Sequence, residues 1–199
     1  LQTTRLTAFA TFPIAFGIAL VAPSFVRSVL GSEWVPMILT MQVLAMYGLM
    51  HSITRNFGAV WKSLNRPDLT TKTGAIRVVC IAALIWPATA RWGFEGTALV
   101  VTGVYLFPML PIDVYLTSRL TETPSMEFYM EYLYPCIAAG TMFGTLWYAR
   151  SLVELSPLVE FVLLVPSGAV VYFVVSLLLE WRFDWGIERI LRMIVRGVR

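Results

Sequence analysis

Long apolar runs alternate with short polar joints along almost the whole chain. Residues 6–26 are free of charge and bounded by Arg5 and Arg27, and residues 34–54 are free of charge except for Glu33 and Arg55 at their borders. Further apolar runs follow at 70–89, 96–112, 132–149 and 161–179. A helix rises 1.5 Å per residue, so about 20 residues cross a hydrocarbon layer of roughly 30 Å. The pattern therefore predicts an all-α, polytopic membrane bundle of six transmembrane helices over residues 1–183. Residues 117–131 read as a solvated polar loop holding Glu122, Glu127 and Glu131. After Asp184 the period changes. Ile187, Ile190, Leu191, Ile194, Val195 and Val198 share one helical face, and Arg189, Arg192, Arg196 and Arg199 populate the other. Residues 184–199 are thus expected to form a cytoplasmic amphipathic helix lying in the membrane interface.

Composition agrees. The chain is 58% hydrophobic and 14% charged, with a mean hydropathy of +0.73, whereas soluble domains carry about 25% charged residues. The net charge of +3 is too small to mark a nucleic-acid surface and acts instead as an orientation signal. Cys80 and Cys136 both lie in apolar runs and read as inert, buried thiols. The chain opens on Leu1 almost inside a span, which suggests that an N-terminal half precedes it.

The polar joint with the most charge is Arg55 to Arg77, with Arg55, Lys62, Arg66, Lys72 and Arg77 against Asp68. Basic connectors favour the cytoplasmic side. With this joint inside, six crossings place twelve of the fifteen basic residues in cytoplasmic segments, leaving Arg27, Arg91 and Arg150 outside. Both ends of the chain would then be cytoplasmic. Within the joint, Asn65-Arg66-Pro67 is a turn signal: proline disfavours helical geometry at Arg66, and Asp68 or Thr70 is placed to cap the next helix. Gly93 and Gly96 mark another short turn.

The chain carries little sign of bond chemistry. One histidine and two distant cysteines make no metal site, and no nucleotide-binding or nucleophile-elbow motif is present, so neither catalytic residues nor cofactors are expected. Charges near the apolar layer stand out instead. His51 and Arg55 lie one helical turn apart, and Arg77 lies about two turns inside the third helix, where a cation either snorkels or faces a cavity. Prolines at 13, 87, 108, 111, 135 and 166 free backbone carbonyls within the spans, as expected either of packing kinks or of helices around a watery cavity. Gly140 and Gly144 form a G-x-x-x-G pair suited to close helix packing.

Three stretches carry a family resemblance: FPIAFGIALVAPSFVRSVLGSEW at 12–34, GAVWKSLNRPDL at 58–69 and WGFEGTALV at 92–100. Their order resembles the C-terminal part of Wzx-like flippases, the polysaccharide transporter branch of the multidrug/oligosaccharidyl-lipid/polysaccharide exporter superfamily. The resemblance covers roughly residues 1–120; the last two spans match in hydropathy alone. Asn65 stands where that family usually has glycine. The resemblance implies the second of two pseudo-symmetric bundles around a central cavity, in a transporter that moves a polyprenyl-diphosphate-linked glycan between leaflets by alternating access. Its partners would be that lipid-linked glycan, membrane lipids and the preceding half of the same chain, with no nucleic acid. Arg77, Arg55 and His51 are the candidate headgroup residues, because arginine grips phosphate with two parallel hydrogen bonds.

Two other classes remain open at this stage. An exporter of cationic compounds would favour carboxylates within the membrane, and the acids nearest the spans, Asp113, Glu160 and Glu180, sit at their ends. A membrane enzyme of glycan assembly, a polymerase or ligase, would favour a large outer loop, and the outer joints are short.

Overall fold

The computed structural model describes residues 2–152 and 156–183; the predicted interfacial helix at 184–199 lies outside them. Every element among the described residues is helical. Helix α1 spans Gln2–Phe25 and runs on as a π-helical turn, Val26–Leu30. Gly31 (φ 98°) and a short 3₁₀ turn, Ser32–Trp34, reverse the chain into α2, Met37–Ser63. Helix α3, Pro67–Val104, is followed by a π-helical segment Tyr105–Met109, α4 (Leu110–Thr121), α5 (Ser125–Leu152) and α6 (Pro157–Phe183). The helices outrun the predicted apolar cores at nearly every end, because hydropathy marks the lipid-facing stretch and not the last hydrogen-bonded turn.

Among the described residues, four stretches are long and apolar enough to cross a membrane: Thr4–Leu30, Met37–Ser63, Pro67–Thr121 and Pro157–Trp181. The chain is a membrane-embedded, all-helical protein. The third stretch is a hairpin. Gly93 breaks it with φ 58° and ψ −136°, and the Thr89 and Thr97 hydroxyls on either side are 2.8 Å apart. In a straight helix those residues would lie about 12 Å apart, and Arg77 would be about 42 Å from Tyr105; instead Arg77 donates to the Tyr105 hydroxyl at 3.2 Å. Gly96 makes the return possible, since a Cβ there would stand 2.3 Å from the Ala88 carbonyl oxygen. Helix α5 is long enough to cross but is not one of these four stretches; Tyr132, Tyr134, Thr141, Trp147 and Tyr148 interrupt its apolar run.

Helix α1 is the hub, packing on α2, α5 and α6, while α2 carries α3 and α4 on its far side. Phe9, Phe12, Ile53, Phe57, Trp61, Phe128, Met142 and Tyr172 are buried in one continuous core. Lipid offers helices no hydrophobic reason to associate, so close packing and polar ties must hold them. Two ties repair prolines. Pro13 has no N–H to give the carbonyl of Phe9 four residues earlier, and the Tyr172 hydroxyl of α6 donates there at 2.9 Å. Pro23 leaves the Ala19 carbonyl in the same state, and Gln42 of α2 donates to it at 2.7 Å. These two kinks are healed by neighbouring helices and not by a watery cavity. Tyr172→Phe is therefore expected to cost about 1–2 kcal/mol, the penalty of an unsatisfied buried carbonyl. In a Pro13→Ala background the new N–H supplies the missing donor, and the same change should cost much less. Thermal unfolding of the four proteins in detergent gives the cycle; equal costs in both backgrounds would refute the pairing.

The polar 117–131 segment departs from its expected form. Only residues 122–124 leave the helix, and Glu131 lies buried in α5, where Arg5 grips both its oxygens at 2.5 and 2.6 Å. That pair joins α1 to α5 near one end of the bundle, and the Arg150–Glu160 pair joins α5 to α6 near the other. The Gly140–Gly144 pair also differs: nothing lies within 4 Å of a Cβ built at either, whereas Gly168 is the glycine packed against Met142 and Leu146. Cys136 faces outward and Cys80 is half-buried, both as free thiols.

Candidate functional site

The turn between α2 and α3 sets the site's frame. Arg66 donates its N–H to the Trp61 carbonyl at 2.8 Å and Asn65 to Lys62 at 3.1 Å, with Asn65 left-handed at φ 58°. This is the Schellman termination, in which asparagine can replace glycine. Arg66 is non-helical (φ −121°, ψ 53°) and Pro67 opens α3 at its first position, where a missing N–H costs nothing. Asp68 does not cap the helix; it pairs with Arg66 at 3.2 Å and with Lys72 at 3.1 Å. The tight turn brings the ends of α2 and α3 side by side.

Between them, and against α4, lies a cavity of about 330 Å³. Helix α2 contributes His51, Arg55, Gly58 and Lys62 at spacings of four, three and four residues, which is one helical stripe. Helix α3 contributes Thr70, Thr73 and Arg77 in the same manner, and α4 contributes Asp113. The three predicted residues Arg77, Arg55 and His51 therefore meet at one cavity. Three basic side chains, Arg55, Lys62 and Arg77, line the cavity with one acidic one.

Arg77 is held in a specific way. Its guanidinium lies 4.3 Å from the centre of the Tyr105 ring and donates one Nη to that residue's hydroxyl. The other Nη stands 4.0 Å from Asp113 Oδ2, and Nε has no partner. His51 Nδ1 is 3.3 Å from the same Tyr105 hydroxyl, and its ring stacks on Tyr47 at 5.6 Å between centres. Tyr47 in turn meets Tyr105 edge to face at 5.0 Å. The π-helical segment shapes this cluster by carrying Tyr105 inward, where it is 6% exposed.

Asp113 is the residue that sequence reading misplaced. It is 1% exposed and sits in a helix that continues to Thr121, not at the end of a span. Its Oδ1 has no hydrogen-bond partner, and the Thr70 hydroxyl beside the same cavity also lacks one. Buried polar groups are normally paired, so the floor of the cavity is incompletely satisfied by protein atoms. The continued apolar and hydroxyl positions after Asp113, Val114 to Ser118, carried the signal that the helix does not stop there.

Comparison with known proteins gives one distant match. The chain is 22% identical over 91 residues to an uncharacterized membrane protein in the cps region of Klebsiella pneumoniae, an alignment covering 46% of this chain and 19% of that protein. The chain thus matches about a fifth of that relative's length. No protein-family model matches the sequence, and no solved structure matches it.

Proposed function

We propose that this chain is part of a flippase that moves a lipid-linked polysaccharide or oligosaccharide precursor across the cell membrane by alternating access. The observation that carries the reading is the cavity walled by Arg55, Lys62 and Arg77, set among helices in an otherwise apolar chain. A phosphate-bearing headgroup leaving water needs such cations, and arginine meets it with a planar two-pronged contact. The cps-region relative supports a role in polysaccharide biosynthesis at a membrane. The hairpin at Gly93 turns the third apolar stretch into two limbs, and counting α5 as well gives six crossings. On that count Arg5, the α2–α3 turn and the α4–α5 turn share the cytoplasmic side, as the charge bias prefers, and the cavity lies toward that side. A preceding half of the same chain would complete the transport path. The reading assigns no catalytic group to this part of the protein.

The test is the leaflet in which the precursor collects. Cells lacking the chain should lose surface glycan and accumulate lipid-linked precursor that a membrane-impermeant oxidant cannot reach in spheroplasts. Precursor collecting in the outer leaflet would point to a polymerase or ligase and overturn the proposal. Normal surface glycan would overturn any role in its export.

A further inference from the structure

The unfinished contacts at the cavity floor suggest how it takes and releases an anion. Arg77 has used one Nη on Tyr105, and its remaining edge, Nε with the second Nη, is the pair that grips a tetrahedral oxyanion. That same Nη is the atom nearest Asp113, at 4.0 Å, beyond hydrogen-bond length. Asp113 therefore serves as a loosely held internal counter-charge, occupying the edge that an arriving phosphate needs. Once the phosphate takes that edge, two negative groups share one guanidinium inside a closely packed helix cluster. Like charges that close cannot both stay ionised without cost, and a protonated carboxyl turns from a repelling acceptor into a hydrogen-bond donor toward the phosphate.

We infer that Asp113 and Arg77 form a proton-linked anion site, in which a phosphate-bearing anion binds Arg77 as Asp113 takes up a proton from water. This deepens the flippase reading and rests on it for the source of the phosphate. The free Oδ1 is the place for the proton. The charged and titratable groups around Asp113 are Arg77 from α3, His51, Arg55 and Lys62 from α2, and the Tyr105 hydroxyl bonded to Arg77. The buried carboxylate of α5, Glu131, is engaged by Arg5 and does not line the cavity. The linkage is reciprocal: the anion raises the site's affinity for the proton by the factor by which the proton raises its affinity for the anion. The occupied site holds one more proton than the free site, so binding tightens as pH falls, by up to about tenfold per pH unit.

The experiment uses the full chain in nanodiscs and sulfate as probe, because sulfate stays doubly charged across the whole range. Calorimetric titrations between pH 5 and 8, in buffers of different ionisation enthalpy, should show up to one proton absorbed per sulfate bound, with the uptake fading toward the acid end, where the free Asp113 already holds its proton. Asp113→Asn should bind at every pH about as tightly as the wild type does at low pH, with the slope gone. His51→Gln should keep the slope. A slope that persists in Asp113→Asn would overturn the assignment, and so would a slope that disappears in His51→Gln, which decides the matter even if Asp113→Asn folds poorly. Sulfate binding that is independent of pH overturns the linkage and leaves the anion cavity standing; no sulfate binding at any pH overturns both. A polyprenyl diphosphate in the nanodisc should displace sulfate at a much lower amount than inorganic phosphate needs. The reverse result would leave the proton linkage intact and remove the lipid headgroup as the ligand.

Discussion

Gly96→Ala should sharply reduce the amount of folded protein recovered from the membrane. The added Cβ would lie 2.3 Å from the Ala88 carbonyl oxygen, 2.7 Å from its carbonyl carbon and 3.1 Å from Trp92 Cβ. Two of those atoms are backbone, so no rotamer change relieves the contact. The limbs of α3 must separate where Thr89 and Thr97 meet. Overpacking of a tight site costs about 1–3 kcal/mol, and a clash with backbone belongs at or above the upper end. Moving the limbs would also displace Tyr105, and with it Arg77, so binding should suffer beyond the loss of protein. Gly93→Ala is strained for another reason: nothing crowds the position, but its φ of 58° and ψ of −136° is a conformation that residues with a Cβ avoid, at about 1–3 kcal/mol. Gly140→Ala and Gly144→Ala meet open space. They should be neutral or slightly stabilising, because alanine is the better helix former. Thermal midpoints in detergent rank the four. A Gly96→Ala protein as stable as Gly140→Ala would show that the hairpin does not close as described.

The turns were legible in the sequence because their causes are local. Proline restricts the residue before it, and asparagine and glycine tolerate positive φ, so Asn65-Arg66-Pro67 and Gly93–Gly96 announce themselves without knowledge of the rest of the fold. The cationic side of the site was legible too, since Arg77 breaks an apolar run and the stripe of His51 and Arg55 follows helical spacing. The acidic side was not. A scan for apolar runs prices each charge as though it stood alone, and so pushes it to the nearest water. Glu131 escapes that price by pairing with Arg5, 126 positions away, and Asp113 by facing Arg77 across a hairpin whose closure depends on Gly96. The repair of Pro13 was hidden for the same reason, since its donor, Tyr172, lies 163 positions from the carbonyl it reaches. Long-range pairing is a property of the packed bundle, and no spacing rule contains it.

That pairing changes what substitution of Arg77 is expected to do. Taken alone, Arg77→Ala would separate a headgroup role from an anchoring role by whether protein levels fall. With Asp113 buried behind it at 1% exposed, the alanine protein also loses the cation nearest that carboxylate, and removing one partner of a buried pair is destabilising. Arg77→Ala should therefore lower folded protein on either reading. The discriminating variants keep the charge count balanced. Arg77→Lys retains a cation opposite Asp113 but cannot make the two-pronged contact with phosphate, nor reproduce the stacking on Tyr105 at 4.3 Å. Arg77→Gln combined with Asp113→Asn removes both charges and leaves the site polar. Both proteins should reach the membrane at near wild-type amounts. If Arg77 binds the headgroup, each should reduce glycan export at least tenfold, with precursor collecting in the cytoplasmic leaflet, whereas Arg150→Gln/Glu160→Gln, which removes the ion pair joining α5 to α6, should export normally once corrected for protein level. Export at wild-type rates by the Arg77→Gln/Asp113→Asn protein would take Arg77 out of the transport path and leave the pair a purely structural tie.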